Sequence, residues 1–207
     1  MKAGEYVIVI GRQYGSGGRE IGRALATRLG IPYYDRKLLR EAAVRIGFDE
    51  EVFSRNDEQK PSLLASLFGS GCYPADGEYT TSSMSRQGLY RAQSAVIAEL
   101  AKEGPCVIVG RTADYVLRDH PKMASIFIHA PIERRAERIM QRDGCDTADH
   151  AAALARKRDS AREKYYNFFT GRHWGHADNY HLSIDASSMT TDEIVDLIVS
   201  YLEHQAH

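Results

Sequence analysis

Five glycines, Gly11, Gly15, Gly17, Gly18 and Gly22, fall within the twelve-residue run GRQYGSGGREIG. An apolar, β-branched stretch (Tyr6-Val7-Ile8-Val9-Ile10) precedes the run, and the helix-forming Arg23-Ala24-Leu25-Ala26 follows it. Glycine at this density lets a backbone take positive φ and approach a ligand closely. Free N–H groups at the start of a helix point the same way as the helix dipole, which is chemistry for holding a phosphate. A linker would carry polar neighbours instead of a buried strand and an amphipathic helix. The run therefore reads as a phosphate cradle formed by Gly11, Arg12, Gly15, Ser16, Gly17, Gly18, Arg19 and Glu20.

Two kinds of site use such a cradle. In a Rossmann dinucleotide site, Gly11, Gly15 and Gly17 would give GxxxGxG. Asp35 would be the acid that closes the next apolar stretch, roughly 20 residues on. In a phosphate loop of the form GxxxxGK(S/T), a lysine and then a hydroxyl follow the last glycine. Here Gly17 is followed by Gly18, Arg19 and Glu20, so neither stands in register. The loop by itself leaves both readings open.

The elements around it narrow the choice. Strands are expected near 6–10, 31–34, 107–109, 125–129 and 181–184, and helices near 19–29, 36–46, 89–102, 132–142, 151–166 and 191–203. Strand–helix alternation of this kind predicts a parallel sheet covered by helices, with ligands at the carboxyl ends of the strands. Polar residues gather at those ends: Asp35 and Arg36 after the second strand, Arg111 after the third, Asp185 after the fifth. A guanidinium just beyond a buried strand suits bidentate phosphate recognition. Arg135, Arg138 and Arg142 share one helix face, and Arg158 and Arg162 stand one helical turn apart. Phosphoryl transfer needs several converging cations of this kind, because charge spreads over the equatorial oxygens of the moving group. The stretch 66–88, rich in glycine, serine and threonine, reads as a mobile loop.

Composition excludes other classes. The chain has 207 residues, 43% hydrophobic and 27% charged, which fits one globular domain and is short for a dinucleotide enzyme with a substrate domain. A net charge of −1 argues against a nucleic-acid partner. No apolar stretch approaches a membrane span, no signal peptide is expected, and Cys72, Cys106 and Cys145 lack CxxC spacing, so a cytoplasmic setting is expected. His173, His176 and His181 near Trp174 read as loop histidines and not as a metal site.

Six segments then line up in order: GSGGREIG in the loop, YYDR (33–36), VGRTADY (109–115), ERRAER (133–138), RDSAR (158–162) and IDAS (184–187). With these the chain resembles the cytidylate kinase-like family, within the P-loop nucleoside monophosphate kinases, over nearly its whole length. The resemblance implies an α/β, three-layer P-loop NTPase fold with a five-stranded parallel sheet and helices on both faces. It also implies a nucleoside-monophosphate-binding (NMP-binding) insertion near 36–93, a lid near 140–166, and ATP with magnesium as donor. By the same resemblance, Arg111 and Arg162 would hold the acceptor phosphate, and Asp35 and Arg36 would border its site. Arg135, Arg138 and Arg158 would face the donor's β- and γ-phosphates, with Arg158 and Arg162 in catalytic roles.

The loop departs from the family's pattern. In the family's GxxGxGKGT form Gly18 occupies the lysine position and Glu20 that of the threonine, where a hydroxyl would meet magnesium, so Arg19, or else Arg12, is expected to replace the missing charge. A nucleotide-binding module without turnover is the competing expectation. A short-chain Rossmann NAD(P)-binding oxidoreductase is weaker, because its YxxxK spacing falls at Tyr33 and Lys37, at the end of the second strand.

Overall fold

The β-branched run after Tyr6 forms the central strand of a parallel sheet. The computed structural model describes residues 2–35 and 86–205. In chain order its elements are β1 (Val7–Arg12), α1 (Gly18–Leu29), β2 (Tyr33–Tyr34), α2 (Arg86–Glu103), β3 (Cys106–Val109), α3 (Ala113–Val116), β4 (Met123–His129), α4 (Ile132–Asp143), α5 (Ala148–Thr170), β5 (Leu182–Asp185) and α6 (Thr191–His204). The five strands run parallel in the order β2-β3-β1-β4-β5.

Register sets where the strand ends lie. Ile10 pairs with Val109 of β3 and Ile126 of β4, and Arg12 pairs with Ile128. His129 pairs with Asp185 of β5. The carboxyl ends therefore form one rim, and the glycine loop leaves from its middle.

Alternation along β1 fills two cores. Ile8 and Ile10 pack with Ile21 and Leu25 of α1 and with Ile194 and Ile198 of α6. Val7 and Val9 pack on the opposite face with Val96, Ile97 and Leu100 of α2. Each such side chain, fully buried, contributes about 1.5–3 kcal/mol. Helices on both faces are what allow a strand to be apolar on both sides. The result is the three-layer P-loop NTPase arrangement. A smaller third core joins Ala136 and Ile139 of α4 to Ala151 and Ala155 of α5, with Tyr14 of the loop packed against it.

Strand β2 is shorter than the expected 31–34. The Ile31 N–H is already bonded to Ala26 O in the closing turn of α1, where Gly30 takes φ 65°, and Pro32 has no N–H to offer a neighbour. Helix α5 runs further than expected at both ends. Thr147 caps its start by accepting from His150 N–H, and Gly171 ends it in the left-handed region. The predicted helix 36–46 and most of the predicted loop 66–88 lie outside the described residues, as does most of the expected insertion 36–93. The last residues of that loop, 86–88, open α2 as helix. The region expected as a lid, 140–166, falls on the end of α4 and most of α5. No helix among the described residues is long and apolar enough to cross a membrane.

Candidate active site

Beyond its apolar core, β1 continues through Gly11 and Arg12 before the chain turns into α1. Gly17 precedes the helix at φ 86°, and Gly15 sits at φ 81°. A side chain at Gly15 would also collide with the fold, because a Cβ placed there would lie 2.8 Å from Arg135 O. The turn is braced from within and from β4. Ser16 Oγ donates to Gln13 O at 2.9 Å, Gln13 N–H donates to Ile128 O at 3.0 Å, and Gln13 Oε1 accepts from Ala130 N–H at 3.2 Å. The helical ladder of α1 opens with Ile21 N–H donating to Gly17 O at 3.0 Å. The N–H groups of Gly18, Arg19 and Glu20 precede that bond, at the positive end of the α1 dipole.

The α4–α5 hairpin holds the other side of the loop. Asp159 accepts from Tyr14 N–H at 2.7 Å, from Arg135 Nη1 at 2.6 Å and from Arg162 Nη1 at 3.2 Å. Arg135 is only 8% exposed and donates further to Ala130 O and Tyr14 O. Arg138 donates to Ser16 O at 2.8 Å and to Ala186 O at 3.1 Å. The structure thus gives Arg135 and Arg138 to loop and strand-end carbonyls, where they fix the shape of the cradle. Tyr14 is clasped as well: its hydroxyl donates to Asp143 at 2.7 Å, and the guanidiniums of Arg142 and Arg162 lie 5.1 and 5.4 Å from its ring centre. Hydrogen bonds from Arg142, aided by Tyr14, hold the Asp143 carboxyl down at about 2. Asp159 is shifted the opposite way, because burial outweighs its three donors.

Four arginines from separate segments converge where β1 and β3 end. Burial and the nearby charges of Arg162, Arg111 and Arg19 all push the Arg12 guanidinium well below its usual pKa. Arg162 is lowered too, mainly by burial, with Arg158 and Arg111 adding repulsion that Asp159 opposes. Arg162 also donates to Arg12 O at 3.1 Å. Arg19 lies at the edge of this group with its side chain 60% exposed, 3.5 Å from the buried Asp35 carboxylate. Such a concentration of positive charge is an electrostatic cost in the protein alone and a benefit to a polyanion. Glu20 adds an exposed carboxylate in the first turn of α1.

Just past β3 the backbone turns sharply. Gly110, Arg111 and Thr112 take φ of 80°, 63° and 55° in succession. Two non-glycine residues in the left-handed region are costly and persist only where the surroundings hold them. Here Thr112 Oγ1 donates to Arg111 O at 2.6 Å, and the buried Gln93 of α2 reaches the same carbonyl at 3.5 Å. The turn places Arg111 at the sheet rim, where its charge acts on Arg12.

The structure therefore brings together Arg12, Arg19, Arg111 and Arg162, with Asp35 beside Arg19. Arg158 is near enough to act electrostatically on Tyr14 and Arg162. Arg36 lies outside the described residues. Sequence reasoning passed over Tyr14, Asp159 and Gln93. The signal for Asp159 was its place between Arg158 and Arg162, next to the first and one helical turn before the second. It also passed over Asp114, buried at the start of α3, which accepts from Tyr166 Oη at 2.7 Å and ties α3 to α5 behind the site. Of the loop histidines, His181 is bonded to Ser125, and no group of three or more metal-binding side chains occurs among the described residues.

Comparisons with known proteins agree in direction. The model of the cytidylate kinase-like family matches residues 7–188. The cytidylate kinase of Methanopyrus kandleri is 30% identical over 206 residues, covering 95% of this chain and 93% of that protein. A crystal structure of a protein from Eubacterium ventriosum superposes with a TM-score of 0.72 at 27% identity, covering 96% of this chain and 98% of that one. A gluconokinase from Sinorhizobium meliloti shares the fold, with a TM-score of 0.58 at 17% identity over 98% of this chain and 94% of its own.

Proposed function

The chain belongs to the cytidylate kinase-like family and is a P-loop phosphotransferase, and on that premise we propose that it transfers the γ-phosphate of ATP to a nucleoside monophosphate. A pyrimidine nucleotide is the leading acceptor, supported by the cytidylate kinase relatives. The observation that carries this reading is the convergence of Arg12, Arg111 and Arg162 beside the glycine loop, at the ends of adjacent strands β1 and β3.

The chemistry asks for little beyond placement. An oxygen of the acceptor's phosphate attacks the γ-phosphorus, the bond to the β-phosphate oxygen breaks, and ADP and a nucleoside diphosphate leave. A phosphate monoester is largely dianionic near neutral pH, so the nucleophile carries its own charge and needs no strong base. Charge on the moving group must be met by fixed donors, and these are the N–H groups at the start of α1 and the guanidiniums at the rim. Arg111 and Arg162 hold the acceptor's phosphate, with Asp35 and Arg36 bordering its site. Arg158 lies on the donor side, and Arg135, Arg138 and Asp159 keep the loop in shape. The α4–α5 hairpin acts as the lid.

The residues suit magnesium as a companion of the nucleotide. Glu20, an exposed carboxylate in the first turn of α1, would help to hold it, with water and nucleotide oxygens as the remaining ligands this ion prefers. Bound there, it would neutralise charge on the β- and γ-oxygens.

A second reading, nucleotide binding without turnover, has one observation in its favour: Gly18 at the position of the usual lysine. A thermal-shift panel tests the reading of the cradle. ATP with magnesium at 100-fold over its dissociation constant should stabilise the protein by about 2.7 kcal/mol. A response to NAD or NADP, with none to ATP, would contradict it.

A further inference from the structure

Set against the signature GxxxxGK(S/T) ending at Gly17, the lysine position is Gly18 and the first glycine position is Arg12. A cation and a glycine have traded places. The two positions also touch: a Cβ built on Gly18 would lie 2.6 Å from the Arg12 Cβ and 3.0 Å from its Cγ. An arginine at 12 and a lysine at 18 therefore exclude one another.

The Arg12 guanidinium crosses from the loop to the end of β3. It lies against Gly110, where the space a Cβ would need is already filled by its Nη1. Among the described residues no carboxylate forms an ion pair with it, and the charges that act on it most are the cations Arg162, Arg111 and Arg19. Burial and these like charges disfavour its charged form in the protein alone, and an anion placed among them would reverse that balance. Arg19 is differently placed. It is largely exposed and already has Asp35 beside it.

We propose that Arg12 takes over the work of the missing lysine, binding the phosphoryl group of the nucleotide from the β1 side of the cradle and carrying that charge toward Arg111. This rests on the kinase reading and adds to it a catalytic residue and the reason position 18 must be glycine. A lysine at 18 would reach the phosphates from the first turn of α1. Arg12 reaches them from the strand side, between the loop and the proposed acceptor arginine, along the path of the transferring group.

Calorimetric titration with ATP and magnesium, followed by ADP release with the best acceptor of a nucleoside monophosphate panel, tests this on four proteins: wild type, R12Q, G18K and R12G/G18K. R12Q should bind about tenfold or more weakly and release ADP about 100-fold more slowly. G18K alone should lose binding, and the double variant should return to within about tenfold of wild type, since it restores the glycine and the lysine of the ordinary loop at their usual positions. R12K and circular dichroism guard against misfolding: a folded R12K that retains part of the activity R12Q has lost supports the role of the charge. Wild-type affinity and turnover in R12Q would overturn the proposal for Arg12 while leaving the kinase reading in place. Wild-type affinity in G18K would overturn the exclusion between the two positions. A wild-type protein that does not bind ATP would instead refute the kinase reading itself.

Discussion

Asp159 of helix α5 accepts the backbone N–H of Tyr14 at 2.7 Å, across 145 positions of sequence. One carboxylate from the hairpin thus fixes the middle of the glycine loop and, through its other contacts, orients Arg135 and Arg162. Loop shape and arginine placement are in this way a single mechanical unit. A hairpin that moved as a lid would carry Arg162 and Asp159 together, and would loosen the loop as it opened.

Asp159→Asn tests that unit. The amide keeps the volume and one acceptor but leaves Arg135 buried without its counter-charge, a change that costs about 3–5 kcal/mol when a buried pair is broken. Denaturant unfolding should show a loss of this order, and ATP affinity should fall with it. Unchanged stability would mean that the Tyr14 and Arg135 contacts are not what holds the loop.

The Tyr14–Asp143–Arg142 clasp predicts an acid-sensitive hairpin. The Asp143 carboxyl is held at about 2 in the folded protein, chiefly by hydrogen bonds from Arg142, against an unperturbed value of about 3.9. Because the folded value is the lower one, the stabilisation is complete above pH about 4 and is lost as pH falls through about 2. Melting of wild type and Asp143→Asn, followed from pH 5 to pH 2, should show a gap that closes toward acid. A gap constant over that range would contradict the assignment.

Much of this was legible in the sequence, for physical reasons. The apolar run 6–10 could only be a buried strand, and helices such as α1, α4 and α6 carry their apolar stripes openly. Arg111 could be placed at the rim because it stands one glycine beyond a buried strand. The division of labour among arginines was not legible. Arg135 and Arg138 share a helix face with Arg142, yet the first two reach loop carbonyls while Arg142 lies over the Tyr14 ring. Helical spacing gives the face and says nothing of what packs against it. Tyr14 and Asp159 escaped notice because their partnership spans most of the chain. The conflict between Arg12 and Gly18 was not legible either, since only the turn of the loop brings their Cβ positions together.

Arg111→Ala probes the acceptor side. Removing one charge-assisted phosphate contact should cost about 1.5–3 kcal/mol in kcat/KM for the acceptor while ATP affinity stays near the wild-type value. An equal loss of ATP affinity would show that Arg111 serves the donor instead.

Arg19→Ala separates the two candidate substitutes for the lysine. With its side chain exposed and Asp35 alongside, Arg19 should matter less than Arg12, so turnover should fall by no more than about tenfold. A loss of about 100-fold, the size expected when a donor to the transition state is removed, would transfer the role to Arg19.

Coupled ADP release with ATP, magnesium and each of CMP, dCMP, UMP, AMP and GMP decides whether the protein transfers a phosphoryl group to a nucleoside monophosphate. Acceptor-dependent ADP release is expected with at least one of the pyrimidine nucleotides, at a rate well above that with ATP alone. If all five are inert while ATP still binds and stabilises the protein, phosphoryl transfer to a nucleoside monophosphate is contradicted.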